Sequence, residues 1–567
     1  MIPYRVHSHY SIQNGYCDID ELINQAASHA CPAVALTDKN SLSGIVEFAQ
    51  AVEKHNAKNK DNPIKGIFGL DLYVENGANR GWVTLLSRNK TGWFDLIKLL
   101  SFSNYDIENL TYVLTIDEKL LALINSEDLI RISKYSSIKN TDIIWDFSDE
   151  SLGGHDVDYL SPEDNSILKT LLGLKYKTNI DNLHHFTNHE DVDAAYNKEF
   201  FFKKWDDKSN VLNDLCESYS LAGPPQIPLF DPAQNPNDLL TKMAREGWVK
   251  RGLHKKIPKG SELEKVYVER VKEELSTFIT YNLSNYLLII SGFTKFIRSK
   301  GFLCGLRGSA VGCLLSYLLD ISDVDPIIPD PTLEQHKDRQ LLLSRFINKG
   351  RLAEGNNSLP DCDLDVPISL RGELIAHIKE KYGTDHVANI ITFQRMDGKQ
   401  AIKEAFRISG VPNYLQITNE ICNTMVDTSK VQDELEDLRS EDPNYNIIQY
   451  CLDNIPQVQE YYQEFKKEFD LAIKLNKTIK NSGKHAAGIV ICNAPISDVF
   501  PVVKDIKTGE NLLAVEMEFA EYIGAVKFDI LGVAAYEKIT AILDMIKNNR
   551  KEAAVYVSKE DHEQIQC

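Results

Sequence analysis

Residues 360–366 read Pro360-Asp361-Cys362-Asp363-Leu364-Asp365-Val366. Successive side chains of a strand point to opposite faces, so residues two apart share one. Extended, this stretch projects Asp363 and Asp365 side by side, with Asp361 one step back on the same face. Carboxylates crowded on one face repel unless cations neutralise them. Hard divalent cations such as Mg²⁺ accept all-oxygen ligation of this kind. Two metals about 4 Å apart activate an attacking oxygen and stabilise a leaving one. An acidic loop or a lone Ca²⁺ site has the same pattern, because D-x-D is common.

Outward from this stretch, Gly524-Ala525-Val526-Lys527-Phe528-Asp529-Ile530-Leu531 also reads as a strand. Val526, Phe528 and Ile530 share one face, and Lys527 and Asp529 share the other. If Asp529 meets the first two carboxylates, the three complete a metal site fit for phosphoryl transfer. A buried Lys–Asp ion pair is the plainer alternative. Cys304-Gly305-Leu306-Arg307-Gly308-Ser309-Ala310-Val311-Gly312 opens a helix that Ser309 is placed to cap, running to about Leu319. Helix N-termini attract phosphate and Arg307 adds charge. The Gly-Lys-Ser/Thr ending of a Walker loop is absent, so close packing around a cap explains the turn equally well. Lys399, Lys403 and Arg407 recur every four residues and line one helix face. Residues 471–487 carry Lys474, Lys477, Lys480 and Lys484 with no acid among them. That strip is either a phosphate track or a solvated helix face.

The first 160 residues alternate strand and helix: strands at 34–37, 67–74 and 83–86, and a helix at 43–54. Such alternation suggests an α/β barrel or layered sheet, with polar strand ends gathered on one face. Residues 222–237 hold five prolines and read as an interdomain linker. A long helical region is expected over 264–299, and mostly helix over 411–483, where the acidic stretch 433–442 reads as solvated surface. The chain has 567 residues and a formal charge of 63 − 82 = −19. A hydrophobic share of 43% is ordinary globular composition and excludes a disordered or fibrous class. No apolar run reaches bilayer length, and the N-terminus has no signal-peptide pattern. Ten cysteines with no C-x-x-C pair suggest reduced cytosolic thiols rather than zinc or disulfides. At −19 the chain as a whole repels nucleic acid, so any such binding comes from the strips at 399–407 and 474–484 or from a portion outside this chain, and for the chain alone is weak and salt-dependent.

The ordered series R-G-S-A-x-G at 307–312, R-F-I-N at 345–348, P-D-x-D-x-D at 360–365, I-I-T-F-x-x-M at 390–396, G-K-H-A-A-G at 483–488 and V-K-F-D-I-L-G at 526–532 resembles the alpha subunit of bacterial DNA polymerase III, the family C replicative polymerase. The opening Arg5-Val6-His7-Ser8-His9-Tyr10-Ser11, with Ala35-Leu36-Thr37-Asp38, resembles that family's N-terminal polymerase-and-histidinol-phosphatase (PHP) domain. The resemblance covers essentially the whole chain. It implies an α/β multidomain fold: a PHP-like β/α barrel over 1–230, then a polymerase-beta-like nucleotidyltransferase palm over 231–410 and 484–548. A helical thumb is inserted at 411–483, and 549–567 is a tail.

Carried over by position, Asp363, Asp365 and Asp529 match the three carboxylates that hold two catalytic Mg²⁺ ions. Lys527 matches the lysine beside the third, and Asp361 a structural aspartate. Arg307, Gly308 and Ser309 match the motif near the incoming triphosphate, and Lys484 and His485 a motif bordering the site. Arg345 and Arg351 stand ready to neutralise phosphate, as do Lys399 and Lys403. The implied substrates are primer-template DNA and deoxynucleoside triphosphates, in a bacterial cytoplasm, and no membrane is involved.

Departures from the family are informative. Gly305 and Leu306 stand where a proline and glycine usually precede the arginine. Of the N-terminal metal ligands, His7, His9, Asp38 and Asp156 remain. Lys39 replaces a histidine, Asp71 a glutamate and Asp158 a late histidine, and Trp82 sits near a further expected histidine. A lysine inside a metal cluster repels the cation, so a vestigial site with no bound metal is expected. A reduced but working phosphoesterase or 3′–5′ exonuclease is the rival, and an inactive replication scaffold a third reading. The sequence stops soon after Asp529, before the family's fingers and C-terminal modules. The expectation is half of a split polymerase, of the kind a phage or a disrupted gene would carry. A second polypeptide then brings the fingers and, through it, a sliding clamp.

Overall fold

In the computed structural model, the alternation read near the N-terminus forms a mixed sheet. The structure describes residues 2–77, 79–107, 110–133, 142–152, 156–186, 192, 207–327, 341–347, 359–442 and 444–556. The chain divides into two compact units. One comprises 1–221, 391–484 and 497–519, and the other 222–390, 485–496 and 520–567.

In the first unit, β1 (Ala33–Leu36) is buried at all four positions and pairs parallel with β2 (Lys65–Asn76). A continuous apolar run such as Ala-Val-Ala-Leu suits a strand covered on both faces. β2 turns back antiparallel into β3 (Asn79–Ser87). With β4 (Asn104–Asp106), β5 (Thr111–Thr115), β6 (Leu129–Ser133) and β7 (Phe147–Ser148), the order is β4-β5-β2-β3-β6-β7. The helix Ile45–Lys58 buries Ile45, Val46, Phe48, Ala49 and Val52, the stripe its periodicity demands.

The same unit holds the helices Gly398–Ile408, Tyr414–Thr424, Gln432–Glu441, Ile447–Asn454, Pro456–Glu464 and Lys466–Leu475. They close around Ile402, Phe406, Ile421, Leu435, Ile448 and Phe469. Asn446 and Gln449 form a reciprocal capping box that starts one of them.

The remaining strands are β8 (Gly305–Arg307), β9 (Asp363–Val366), β10 (Val387–Arg395), β11 (Ile479–Ile491), β12 (Val502–Lys504), β13 (Asn511–Leu513) and β14 (Lys527–Gly532). The unit boundary falls within β10 and β11. In the second unit the order runs β11-β14-β9-β8. Leu364, Val366, Phe528, Ile530 and Ile489 enter one apolar core with the helix Ser284–Ser299. Tyr286 of that helix stacks on Phe528, with ring centroids 5.5 Å apart, and donates its hydroxyl to the Pro360 carbonyl at 2.7 Å. Burial of each such side chain stabilises by about 1.5–3 kcal/mol, which holds one face of β9 and β14 down and turns the alternate, acidic positions outward.

Four sequence expectations need correction. The helix expected over 264–299 is two, Glu262–Thr280 and Ser284–Ser299, broken at Asn282 in the left-handed region (φ 56°). Ser309 does not cap a helix. It lies in the 3₁₀ turn Gly308–Gly312, and the short helix Leu314–Leu318 begins after Cys313. The backbone N–H groups of Leu314 and Leu315 donate to the fully buried Glu274 carboxylate at 2.9 and 2.8 Å. A resident carboxylate therefore occupies the place offered to phosphate.

The proline-rich 222–237 segment starts at the unit boundary but is part of the second unit. Gly223 and Gln226 donate to the carbonyls of Tyr522 and Gly524. Finally, 471–487 is not one helix. Lys474 ends a helix, Lys477 is left-handed (φ 67°), and Lys480 and Lys484 lie on β11.

Candidate functional site

β9 and β14 are parallel neighbours, with Asp529 paired to Asp363 and Leu531 to Asp365. Register partners project to the same side, so Asp363, Asp365 and Asp529 share the face opposite the apolar core. β8 lies on the far side of β9, with Arg307 opposite Asp363 and Gly305 opposite Asp365. β11 flanks β14, with Gly488 opposite Asp529. The helix Ile368–Tyr382 clamps the strands through Arg371, whose Nε donates to the Ile530 carbonyl at 2.8 Å. The third carboxylate is thereby fixed from behind.

The charges on this face are unevenly matched. Arg307 Nε donates to Asp365 Oδ1 at 2.7 Å, and its guanidinium lies 4.0 Å from Asp363 Oδ2. Lys527 is shared by Asp361 and Glu521, each at 3.3 Å. Asp529 Oδ1 is buried, and among the described residues nothing hydrogen-bonds to it. Burial raises the Asp529 carboxyl above its ordinary range. The Lys527 charge opposes this, while the like charge of Asp363 adds to it. A buried carboxylate oxygen that accepts no hydrogen bond among the described residues, beside two further carboxylates, is a donor set that fits hard divalent metal ions. The three carboxylates share a face yet stand too far apart to ligate one ion together, since they are absent from the close groupings among the described residues.

Gly308 has a left-handed backbone (φ 74°), which turns the chain directly after Arg307. His485 Nδ1 accepts from the N–H of Gly488 at 2.8 Å, which leaves the ring proton on Nε2. Ser309 and Arg345 are exposed. Arg351 lies outside the described residues.

The basic strips are paired rather than open. Lys399 bonds Asp427 at 2.6 Å, Lys474 Asp164 at 2.8 Å, Lys480 Glu404 at 2.8 Å and Lys484 Glu510 at 2.9 Å. Lys403 is exposed.

In the first unit a second acidic cluster surrounds His7. Its Nδ1 lies 2.6 Å from Asp158 and its Nε2 2.8 Å from Asp71. Lys39 Nζ is 3.2 Å from Asp158, and Arg5 bonds Asp156 at 3.1 Å and Thr84 at 2.8 Å. Thr84 in turn donates to Asp71. Burial and the Lys39 charge push His7 down, but Asp158 and Asp71 overcome both and raise it to about 9. The ring is an imidazolium at neutral pH, with both N–H groups donating to carboxylates. Donor atoms of His7, Asp156 and Asp158 lie within 4.8 Å of one another, a spacing that admits a metal ion.

Asp38 faces elsewhere: its oxygens accept from Ser8 and Ser11, and burial pushes it up to about 6. His9 is also apart, tilted against Tyr10 with ring centroids 4.5 Å apart and pushed down to about 4 by burial and Arg395. Trp82 packs on Tyr73 instead of ligating.

Two features escaped the sequence reading. Arg5 is two residues before His7 on an extended segment, so a shared face was its available signal. Tyr536 reaches over β8 so closely that a Cβ at Gly305 would overlap its hydroxyl. No local pattern announced that contact.

Residues 239–532 match the family described as the bacterial DNA polymerase III alpha NTPase domain, and residues 3–148 match the PHP domain. The chain is 28% identical over 566 residues to the DNA polymerase III subunit alpha of Ureaplasma parvum, covering 97% of this chain and 52% of that protein. The subunit of the same name from Rickettsia felis is 26% identical, covering 96% and 48%. That from Staphylococcus aureus is 27% identical, covering 97% and 49%. The chain thus spans about half the length of the curated relatives it matches.

Proposed function

The chain belongs to the bacterial DNA polymerase III alpha family, and from that premise we propose that it carries the nucleotidyl-transfer site of a replicative DNA polymerase. The reaction is attack of a primer 3′-hydroxyl on the α-phosphorus of a deoxynucleoside triphosphate, with release of pyrophosphate. In this reading residues 1–230 form the barrel-like PHP domain, 231–410 and 484–548 the palm, and 411–483 the thumb. The observation that carries the reading is the donorless, buried oxygen of Asp529 in register with Asp363.

Asp363, Asp365 and Asp529 would hold two Mg²⁺ ions. Bound there, the ions supply charge neutralisation and a more acidic attacking hydroxyl. Arg307 and Arg345 would contact triphosphate oxygens, with the positive φ of Gly308 turning the chain beside Arg307, and the family resemblance assigns Arg351 the same role. Lys527 steadies the negative face through Asp361 and Glu521. Lys399, Lys403 and Lys484 of the first unit, and His485 of the second, are each assigned by the family resemblance to phosphate contact, for which Lys399 and Lys484 would exchange their carboxylate partners.

The test is primer extension with Mg²⁺, by the chain alone and with a fingers-bearing segment of a relative added. Extension lost in Asp363→Ala supports the reading, and extension retained there refutes it.

A second reading places metal-dependent phosphoester cleavage at His7, Asp156 and Asp158, favoured by their metal-sized spacing. Against it, the Lys39 ammonium and the imidazolium of His7 already neutralise those acids. Degradation of primer ends that is abolished by His7→Ala and untouched by Asp363→Ala would establish it.

A further inference from the structure

Arg307 does two things that conflict. Its place after β8, with the turn at Gly308 beside it, suits contact with a triphosphate. Yet its Nε is spent on Asp365 at 2.7 Å, with the guanidinium 4.0 Å from Asp363. The Asp365 side chain is only 9% exposed, so few other donors reach it, whereas that of Arg307 is 49% exposed and free to swing. Asp529, on the opposite side of Asp363, has no such partner among the described residues, and its buried Oδ1 accepts no hydrogen bond from them. The face is therefore divided: one arm holds its own cation, and the other waits for one.

From this division, and resting on the reading of the three carboxylates as cation ligands, we infer that Arg307 is the resident counter-cation of Asp365, competing with divalent metal for that arm and leaving it when triphosphate arrives. A guanidinium and a divalent ion cannot share one carboxylate oxygen without strong like-charge repulsion. The planar donor fork of Arg307 suits phosphate as well as carboxylate. Moving it from Asp365 to phosphate leaves an unpaired carboxylate at the moment a second metal is needed. Metal and triphosphate then favour each other's binding through one side chain. The bare Asp529 arm takes the first ion without help, and the Asp365 arm takes the second only as Arg307 departs. Arg307 is thus a positioning residue for the metal site as well as a phosphate contact.

The experiment is a Mn²⁺ titration of the full chain, followed by electron paramagnetic resonance, without DNA or nucleotide. The component that Asp529→Asn removes belongs to the arm without a resident cation, and the component that Asp365→Asn removes belongs to the arm that Arg307 holds. Arg307→Gln should tighten the Asp365 component about tenfold, the expected gain when a half-exposed neighbouring charge is removed. Arg307→Lys, which keeps the charge but loses the fork, should fall between. Unchanged or weaker Mn²⁺ binding in both variants overturns the inference while leaving the site itself standing. A titration in which Asp529→Asn removes nothing refutes the cation site and the inference together.

Discussion

Around His7 the balancing cations are parts of the chain. Asp71, Asp156 and Asp158 are met by Arg5, Lys39 and the imidazolium of His7. Around Asp529, among the described residues, the acids outnumber their partners. Asp361, Asp363, Asp365, Asp529 and Glu521 have Arg307 and Lys527 among them. Both clusters gather carboxylates on a strand-borne face. In the proposed reading the first is a structural network and the second is completed by added cations, although His7, Asp156 and Asp158 of the first are spaced to admit a metal ion. Acid clusters alone therefore do not mark chemistry. The count of resident cations tells a site that waits for metal from one that has replaced it.

The sharpest way to break this contrast is through activity. Asp363→Ala should lower primer extension on the order of 10³-fold, while His7→Ala leaves the rate per folded molecule unchanged. Next is stability, read from urea unfolding. His7→Ala strands buried Asp71 and Asp158 and should destabilise by about 3–5 kcal/mol.

The pH dependence follows from the same residue. His7 titrates at about 9 in the folded chain against an ordinary value of 6.5. Its contribution, about 3 kcal/mol, is complete below pH 6.5 and disappears as pH rises through 9. Loss of that decline in His7→Gln assigns it. A smaller effect of opposite sign is expected in the second cluster. Asp529→Asn removes a buried, repelled charge and should stabilise the metal-free chain by about 1 kcal/mol. Destabilisation there would mean that the acids of the second cluster are as well matched as those of the first.

The contrast was partly legible in the sequence. The period-two pattern of 526–530 placed Lys527 and Asp529 opposite Phe528 and Ile530, and the structure keeps that division. The D-x-D strand was equally plain, because alternation is a local property. Lys39 was recognised as a misfit, but Arg5 was passed over. The ion pairs that close the basic strips were not legible. Lys474 and Asp164 are 310 residues apart, and only folding joins them. The lysine spacing over 471–487 suggests a helix face or a phosphate track, but the left-handed Lys477 ends the helix and the β-branched Ile479 starts a strand. Glu274 had no local signal as the acceptor for Leu314 and Leu315, so the phosphate-binding helix start was expected where a carboxylate already sits.

The most direct test of the account is the anomalous scattering of a crystal soaked in Mn²⁺. The account predicts peaks between Asp363, Asp365 and Asp529 and none at His7, Asp156 and Asp158. A peak at His7 with an empty face at Asp529 would contradict it.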